Sequence, residues 1–248
     1  MNKNEILFLI YKNKINNMNY IGIDISINST AIFIETNGIE KILSFTNKKD
    51  NNIYIKELNR SGVDFTHFER KILKDYTDNE LSKMRHYIDI SDSIIDKILS
   101  NIDLTKKTYC QIEGYSFSKN TSSILDIVSL STLIRSKLLV NIKDIDMRII
   151  SPSSLKLETC KMVYKPINIG KKKPKYEYKN NLGISGGSFK KHDMYRAMID
   201  GGVNSIIYDF LNDYIHILEM SKIPNPIEDI IDSIFACKIL KINLNNDN

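Results

Sequence analysis

The chain has 248 residues, 42% apolar and 26% charged, with a net charge of +5, which is enough for one sizeable core and matches a soluble globular protein. Its three cysteines, Cys110, Cys160 and Cys237, form no CxxC pair, which argues against a disulfide framework and a zinc site and favours an intracellular, non-secreted setting. The apolar run at residues 6–11 ends at Lys12, too short for a membrane span and without a small-residue cleavage site.

Residues 1–18 read as an N-terminal extension to a single domain over 19–248. NYIGIDIS and STAIFIET are β-branched and alternating, with the turn formers Asn28 and Ser29 between them, and predict a hairpin. With Ile21, Ile23 and Ile25 on one side, Asp24 must share the other with Gly22, which leaves room beside it. Weaker strand character over 39–58, in IEKILSF and NIYIKEL, predicts completion of a three-stranded antiparallel meander. Leu81, Met84, Ile88, Ile95 and Ile98 recur with a helical period over 78–99. TYCQIEG then reads as a buried strand with Glu113 at its end, followed by a helix over 123–140 through Leu125, Val128, Leu133 and Leu138. DMRIISP is a further strand, stopped by Pro152.

Residues 160–190, with Pro166, Pro174 and GISGG, lack a sustained period and predict a long functional loop. Helices are predicted over 191–200 and about 205–220. The last one opens at Asn225-Pro226-Ile227-Glu228, with Asn as N-cap, Pro at the first helical position and Glu at the third. The fold class is therefore α/β, a mixed five-stranded sheet of antiparallel meander plus parallel strands, flanked by helices.

Charge is unevenly placed. Residues 156–191 hold ten lysines against two acids, giving +8, so the rest of the chain carries −3. A basic segment on an acidic body suits a polyanionic partner, although lysine-rich loops are often merely solvated. Asp24, Glu113, Asp229 and Asp232 each adjoin apolar stretches, and buried carboxylates are costly unless paired, hydrogen-bonded or bound to a cation. Asp229 and Asp232 are three apart on one helical face, a pattern that alone is more often an exposed polar strip. Three separate segments with the same anomaly point to one shared cation site. Hard carboxylate oxygens select Mg²⁺, with Mn²⁺ as substitute, and two ions roughly 4 Å apart serve in-line phosphodiester hydrolysis by water. No Ser/His/Asp or Cys/His constellation competes; His67, His86 and His216 are dispersed, and His192 reads as a surface residue.

GIDISINSTA resembles the first-strand motif of RuvC-type Holliday-junction resolvases of the RNase H-like superfamily. IEGYSFSKNTSS is similar to their second acidic motif and its following loop, and IISPSSLK to their strand bearing Pro and then Lys. KKHDM resembles the lysine-containing start of their next helix, and EDIIDS their terminal acidic pair. Five motifs in order over residues 20–240 implicate an RNase H-like fold. The resemblance implies that Asp24, Glu113, Asp229 and Asp232 are the catalytic, metal-holding residues, with two Mg²⁺ per site. It also implies that a homodimer cuts four-way DNA junctions symmetrically, and that Lys119, Lys156 and Lys191 meet the DNA backbone. Tyr115, Phe117, Asn120, Lys171, Lys172, Lys173 and Lys190 complete the expected DNA surface. Where the bacterial pattern has Phe three residues after the Glu, this chain has Ser116, leaving Tyr115 or Phe117 for base stacking. The long basic insertion, in which Tyr176 and Tyr178 interleave with lysines, resembles divergent viral members, which would place the protein in a host cell's cytoplasm or nucleus.

Three rivals remain. One is a nuclease of the same fold acting on flaps, Y-junctions or RNA:DNA hybrids, since acids set the reaction and loops the substrate. Another is a catalytically silent nucleic-acid-binding protein, against which the retention of four acids speaks. The third is an actin-like or sugar-kinase ATPase, disfavoured because the chain is short for two lobes and lacks a second glycine-rich phosphate loop.

Overall fold

The computed structural model describes residues 17–49, 52–70, 72–115, 121–170 and 173–246. Strands β1 (Asn19–Asp24), β2 (Ser29–Thr36) and β3 (Ile39–Thr46) form the expected antiparallel meander. The β2–β3 turn uses Asn37 and Gly38, both at positive φ, the conformation that suits an Asn-Gly hairpin. The β1–β2 turn is closed by Ser26, whose hydroxyl donates to the Ser29 carbonyl (2.6 Å) and accepts from the Ser29 amide (3.1 Å).

The second half of the predicted third strand is instead a helix, α1 (Ile53–Arg60). NIYIKEL alternates well enough to pass for a strand, but the Asn52 side chain accepts from the Tyr54 and Ile55 amides. That cap starts a helix which buries Ile55 and Leu58. A short strand, β4 (Val63–His67), then pairs parallel with β3. Helix α2 (Tyr76–Leu99) leads to β5 (Thr108–Glu113), which lies parallel to β1, and α3 (Thr121–Asn141) to β6 (Ile145–Ile150), parallel to β5. Among the described residues the sheet has six strands, not five, in the order β4-β3-β2-β1-β5-β6.

The helix stripes match those expected only in part: Ile95 and Ile98 of α2 and Leu138 of α3 are buried as expected. On α2 the sheet-facing residues are Tyr87, Ile90, Ile94 and Ile98, while Leu81, Met84 and Ile88 are exposed; on α3 they are Leu130, Ile134 and Leu138, and Leu125 is exposed. Both sets share the helical period, so periodicity alone cannot tell which stripe meets the sheet.

Helix α4 (Pro152–Val163) follows β6, capped by Ser151, whose hydroxyl accepts from the Ser154 amide. The predicted 160–190 loop therefore begins inside a helix. Beyond it, β7 (Pro166–Asn168) and β8 (Tyr176–Tyr178) form a two-stranded antiparallel ribbon. Helix α5 (Lys191–Asp200) falls as expected, but the next segment is split into α6 (Tyr208–Asp213) and a 3₁₀ turn over Ile215–Glu219.

The final helix, α7 (Ile227–Asn246), starts later than its sequence suggests. Its first intrahelical bond runs from the Ile230 amide to the Pro226 carbonyl, so Pro226 rather than Asn225 takes the cap position. Among the described residues, no helix is long and apolar enough to cross a membrane.

The sheet separates two apolar clusters. Ile21, Ile23, Ile32 and Ile34 pack with α2 and α3, while Tyr20, Ala31 and Phe33 pack with α4 to α7. Helix α7 is the central pillar of the second layer, with every residue from Ile227 to Cys237 buried.

Candidate metal centre

The pairing of β1 with β5 aligns Ile23 with Ile112. Asp24 and Glu113 therefore end neighbouring parallel strands, which lie about 4.8 Å apart. Alternation sends both side chains toward α7. Gln111, two residues before Glu113 and on its face, donates from Nε2 to the Ala236 carbonyl of α7 at 2.9 Å. Gly22, two residues before Asp24, lies against the same stretch, where a Cβ would meet the Ser233 carbonyl oxygen at 2.0 Å and the Cys237 amide nitrogen at 2.6 Å. The room at Gly22 is thus taken by the helix backbone rather than by the acid.

This contact explains how the acids meet. Two residues along a strand advance about 6.6 Å and four along a helix about 6 Å. Moving from Gly22 to Asp24 on the sheet thus corresponds to moving from Ser233 back to Asp229 on the helix. Oxygen atoms of Asp24, Glu113 and Asp232 come within 4.8 Å of one another. Asp229 lies close enough for its charge to act on Asp24.

A fourth segment contributes Lys191, the first residue of α5, which pairs with Glu228. Glu228 is a fifth carboxylate, 8% exposed, whose charge reaches Glu113, Asp229 and Asp232. Its sequence reading as the third-position Glu of a helix start concealed it.

Electrostatically the cluster is under strain. Burial, then the charges of Glu113, Asp229 and Asp232, hold the Asp24 carboxyl well above the usual range, with Lys191 opposing. Burial and Glu113 do the same to Asp232, and burial raises Asp229 to about 7. Glu113 is raised less, burial being offset by Asp24, Lys191 and Lys156. Burial pulls Lys191 down, but its bond to Glu228 and the charges of Glu228, Asp229 and Asp232 outweigh this and leave it above its usual value.

Such a set fits a hard divalent cation. The donors are all carboxylate oxygens, and Asp229 Oδ2 and Glu228 Oε2 are buried with no hydrogen-bond partner. Carboxylates that repel one another in a partly desolvated site are relieved by a cation.

The remaining expected residues are dispersed around this centre. Lys156, half-buried on α4, acts electrostatically on Glu113. Lys190 is exposed beside Lys191, and Lys173 is exposed by the ribbon. Tyr115 is tied back to α3: Arg135 donates to its hydroxyl at 3.1 Å and lies 4.8 Å from its ring centre. Phe117, Lys119, Asn120, Lys171 and Lys172 lie outside the described residues. His192 Nε2 sits 2.8 Å from the Met220 carbonyl.

Sequence reasoning missed the anchor of α5. Asp193, 3% exposed, accepts from the Lys190 amide at 2.8 Å and from the Asn180 amide group at 2.9 Å. Asn180 in turn accepts from the Leu182 and Ile184 amides. The strand-to-helix connection is thereby fastened at the point that sets where Lys190 and Lys191 begin their helix. The signal was Asp at the third position of a helix start, obscured because Lys190 is a poor cap.

No protein-family model matches the chain, and no curated protein does. Solved structures give a distant likeness. A Thermus thermophilus RuvC structure has a TM-score of 0.37 and 8% identity, with 92% of this chain and 97% of that one covered. The T. thermophilus RuvC in complex with Holliday junction substrate has a TM-score of 0.37 and 7% identity, over 92% and 96% of the two chains. A TM-score that low carries no weight for activity.

Proposed function

We propose that this chain is a metal-dependent endonuclease that hydrolyses phosphodiesters in branched DNA and resolves four-way junctions by paired, symmetric cuts. The observation that carries this reading is the convergence of Asp24, Glu113 and Asp232, from three distant segments, to oxygen separations within 4.8 Å. With the five ordered motifs resembling junction resolvases, that convergence makes a nuclease the best account of the site. Asp24, Glu113, Asp229 and Asp232 hold Mg²⁺, or Mn²⁺ in its place. A metal bound there would supply Lewis acidity, lowering the pKa of a water and offsetting negative charge at the phosphodiester.

The other side chains then have defined tasks. Lys191, fixed by Glu228 and by the Asp193 anchor, stands at the rim of the acids and neutralises the scissile phosphate. Lys156 approaches from the Glu113 side. Lys173, beside the ribbon, and Lys190 follow the backbone, an electrostatic contact that weakens with salt. Gln111 keeps β5 on α7, so Glu113 is held without a flexible linkage. Two such centres on opposing strands require a homodimer.

The test is cleavage of a synthetic four-way junction, beside a Y-fork and a linear duplex, in Mg²⁺ or EDTA, by wild type and Asp232→Asn. Paired symmetric nicks that require Mg²⁺ and disappear in the variant are expected. Tight junction binding with no cutting in Mg²⁺ or Mn²⁺ would leave a binding protein instead.

A further inference from the structure

At the same carboxyl-terminal edge of the sheet as the acids, but on the α2/α3 side, lies a cavity of about 640 Å³. It is bounded by the β1–β2 turn at Asn28, by Asn47, Lys48 and Lys49 after β3, and by His67 at the end of β4 with Phe68 to Arg70 after it, with His86 of α2 behind. The turn that follows Asp24 thus forms one wall, so the two sites are neighbours across it. That volume is within the usual range for a small-molecule site, about 300–1,000 Å³.

Its polar groups point to an anion. Arg70 Nη1 is buried with no hydrogen-bond partner, and Arg70 makes no hydrogen bond or ion pair recorded among the described residues. A buried guanidinium nitrogen without an acceptor calls for an explanation, most simply an ion that the protein itself does not supply. Lys48 and Lys49 are exposed at the rim, and neither side chain has a recorded ion-pair partner among the described residues. Two acids also line the cavity. Asp126 is already paired with Lys83 at 3.0 Å, which leaves Glu69 against Lys48, Lys49 and Arg70. Asn28 and Asn47 are joined by a side-chain bond of 2.9 Å, which holds the two loops of that wall together. Arginine with flanking lysines is a common arrangement for phosphate.

We propose that this cavity binds a phosphate group, and that its source is the backbone of the DNA arm lying beyond the scissile bond. The assignment of the arm rests on the nuclease reading; the phosphate chemistry does not. A strand crossing the carboxyl edge of the sheet from Lys191 and Lys156 passes the Asp24 turn and reaches Arg70. The cavity extends the basic footprint to the face of the sheet opposite the ribbon, using residues outside the lysine-rich segment.

The test compares Arg70→Ala and the doubly substituted Lys48→Ala/Lys49→Ala with wild type. Binding of a labelled four-way junction is measured by fluorescence anisotropy in EDTA from 50 to 200 mM salt. Each variant is expected to bind about three- to tenfold more weakly, and Arg70→Ala to reduce the slope of log K against log salt by about 1. The lysine pair is exposed, so its variant tests the cavity even if Arg70→Ala fails to fold. Wild-type affinity and slope in both variants would overturn the DNA assignment. A parallel titration with inorganic phosphate, followed by thermal shift, separates the sources. Phosphate that stabilises wild type but not the variants, with DNA binding unchanged, would make the ligand a free phosphate and overturn the backbone source. If wild type binds no DNA, the nuclease reading fails by itself. The phosphate titration then decides the cavity: saturable stabilisation sensitive to these residues upholds the anion site, and its absence overturns it.

Discussion

Replacing Gly22 by Ala tests the way the acids are brought together. The added methyl carbon would sit 2.0 Å from the Ser233 carbonyl oxygen, 2.6 Å from the Cys237 amide nitrogen and 2.9 Å from Cys237 Cβ. A tolerable carbon-to-oxygen contact is about 3.3 Å, so strand and helix must separate by more than 1 Å, by about 1.3 Å at the closest point. The two nearest obstacles are backbone atoms, so no rotamer change relieves them. Overpacking typically costs about 1–3 kcal/mol, and rigid neighbours put this case at the upper end. Against it, Gly to Ala restricts the unfolded chain and gains about 0.4–1 kcal/mol. Overpacking wins, for a net loss of about 2 kcal/mol, or roughly 4–8 °C in Tm for a chain of this size. The same displacement carries Asp229 and Asp232 away from Asp24, so Mn²⁺ affinity should fall about 10- to 100-fold, as for lost supporting contacts at other metal sites. Urea denaturation in EDTA reads the first effect and Mn²⁺ titration by electron paramagnetic resonance the second. A variant with wild-type midpoint and wild-type Mn²⁺ affinity would refute this account of the helix seating.

Three further outcomes are expected. Asp229 has a folded pKa of about 7 against an ordinary 3.8, so its contribution to metal-free stability is fully present below pH 3.8 and is lost as pH rises through 7. In EDTA, Asp229→Asn should therefore gain on wild type between pH 4 and 8 in urea melts, and a constant difference would contradict the assigned burial. Mg²⁺ at 100 times its Kd should stabilise wild type by about 2.7 kcal/mol, whereas Asp232→Asn should show little of that rise in a thermal melt; equal shifts in both would remove Asp232 from the site. Asp193→Ala should cost about 1–2 kcal/mol through the lost cap and, by freeing Asn180, speed limited proteolysis between residues 165 and 185. Unchanged cleavage there would mean that the anchor is not what orders the segment.

The acids were legible because two periodicities agreed. Alternation in GIDIS sets Asp24 against its isoleucine neighbours, and the three-residue spacing of Asp229 and Asp232 puts them on one helical face. What could not be read was anything decided by a partner in space. Glu228 looks like a capping residue until Lys191 is placed beside it, and Gln111 is an ordinary strand residue until Ala236 offers its carbonyl. NIYIKEL was misassigned because its alternation is real, and only the Asn52 cap bonds decide for helix. The sixth strand rests on five residues that reach β3 only because α1 returns the chain to its edge. Arg70, His67 and His86 are scattered in sequence and become neighbours only through β4 and α2.

Asp24 and Asp232 lie about two hundred residues apart in the chain, and one sits on the first strand while the other rides the last helix. Bringing them together closes a loop of that length, so the cluster exists only once α7 is seated on β1. A nascent chain leaving the ribosome carries Asp24 and Glu113 well before it carries Asp229 and Asp232. An incomplete polypeptide therefore holds only Asp24 and Glu113 of the acidic cluster, which is completed only with the finished core. Mn²⁺ binding followed during refolding would time that docking event.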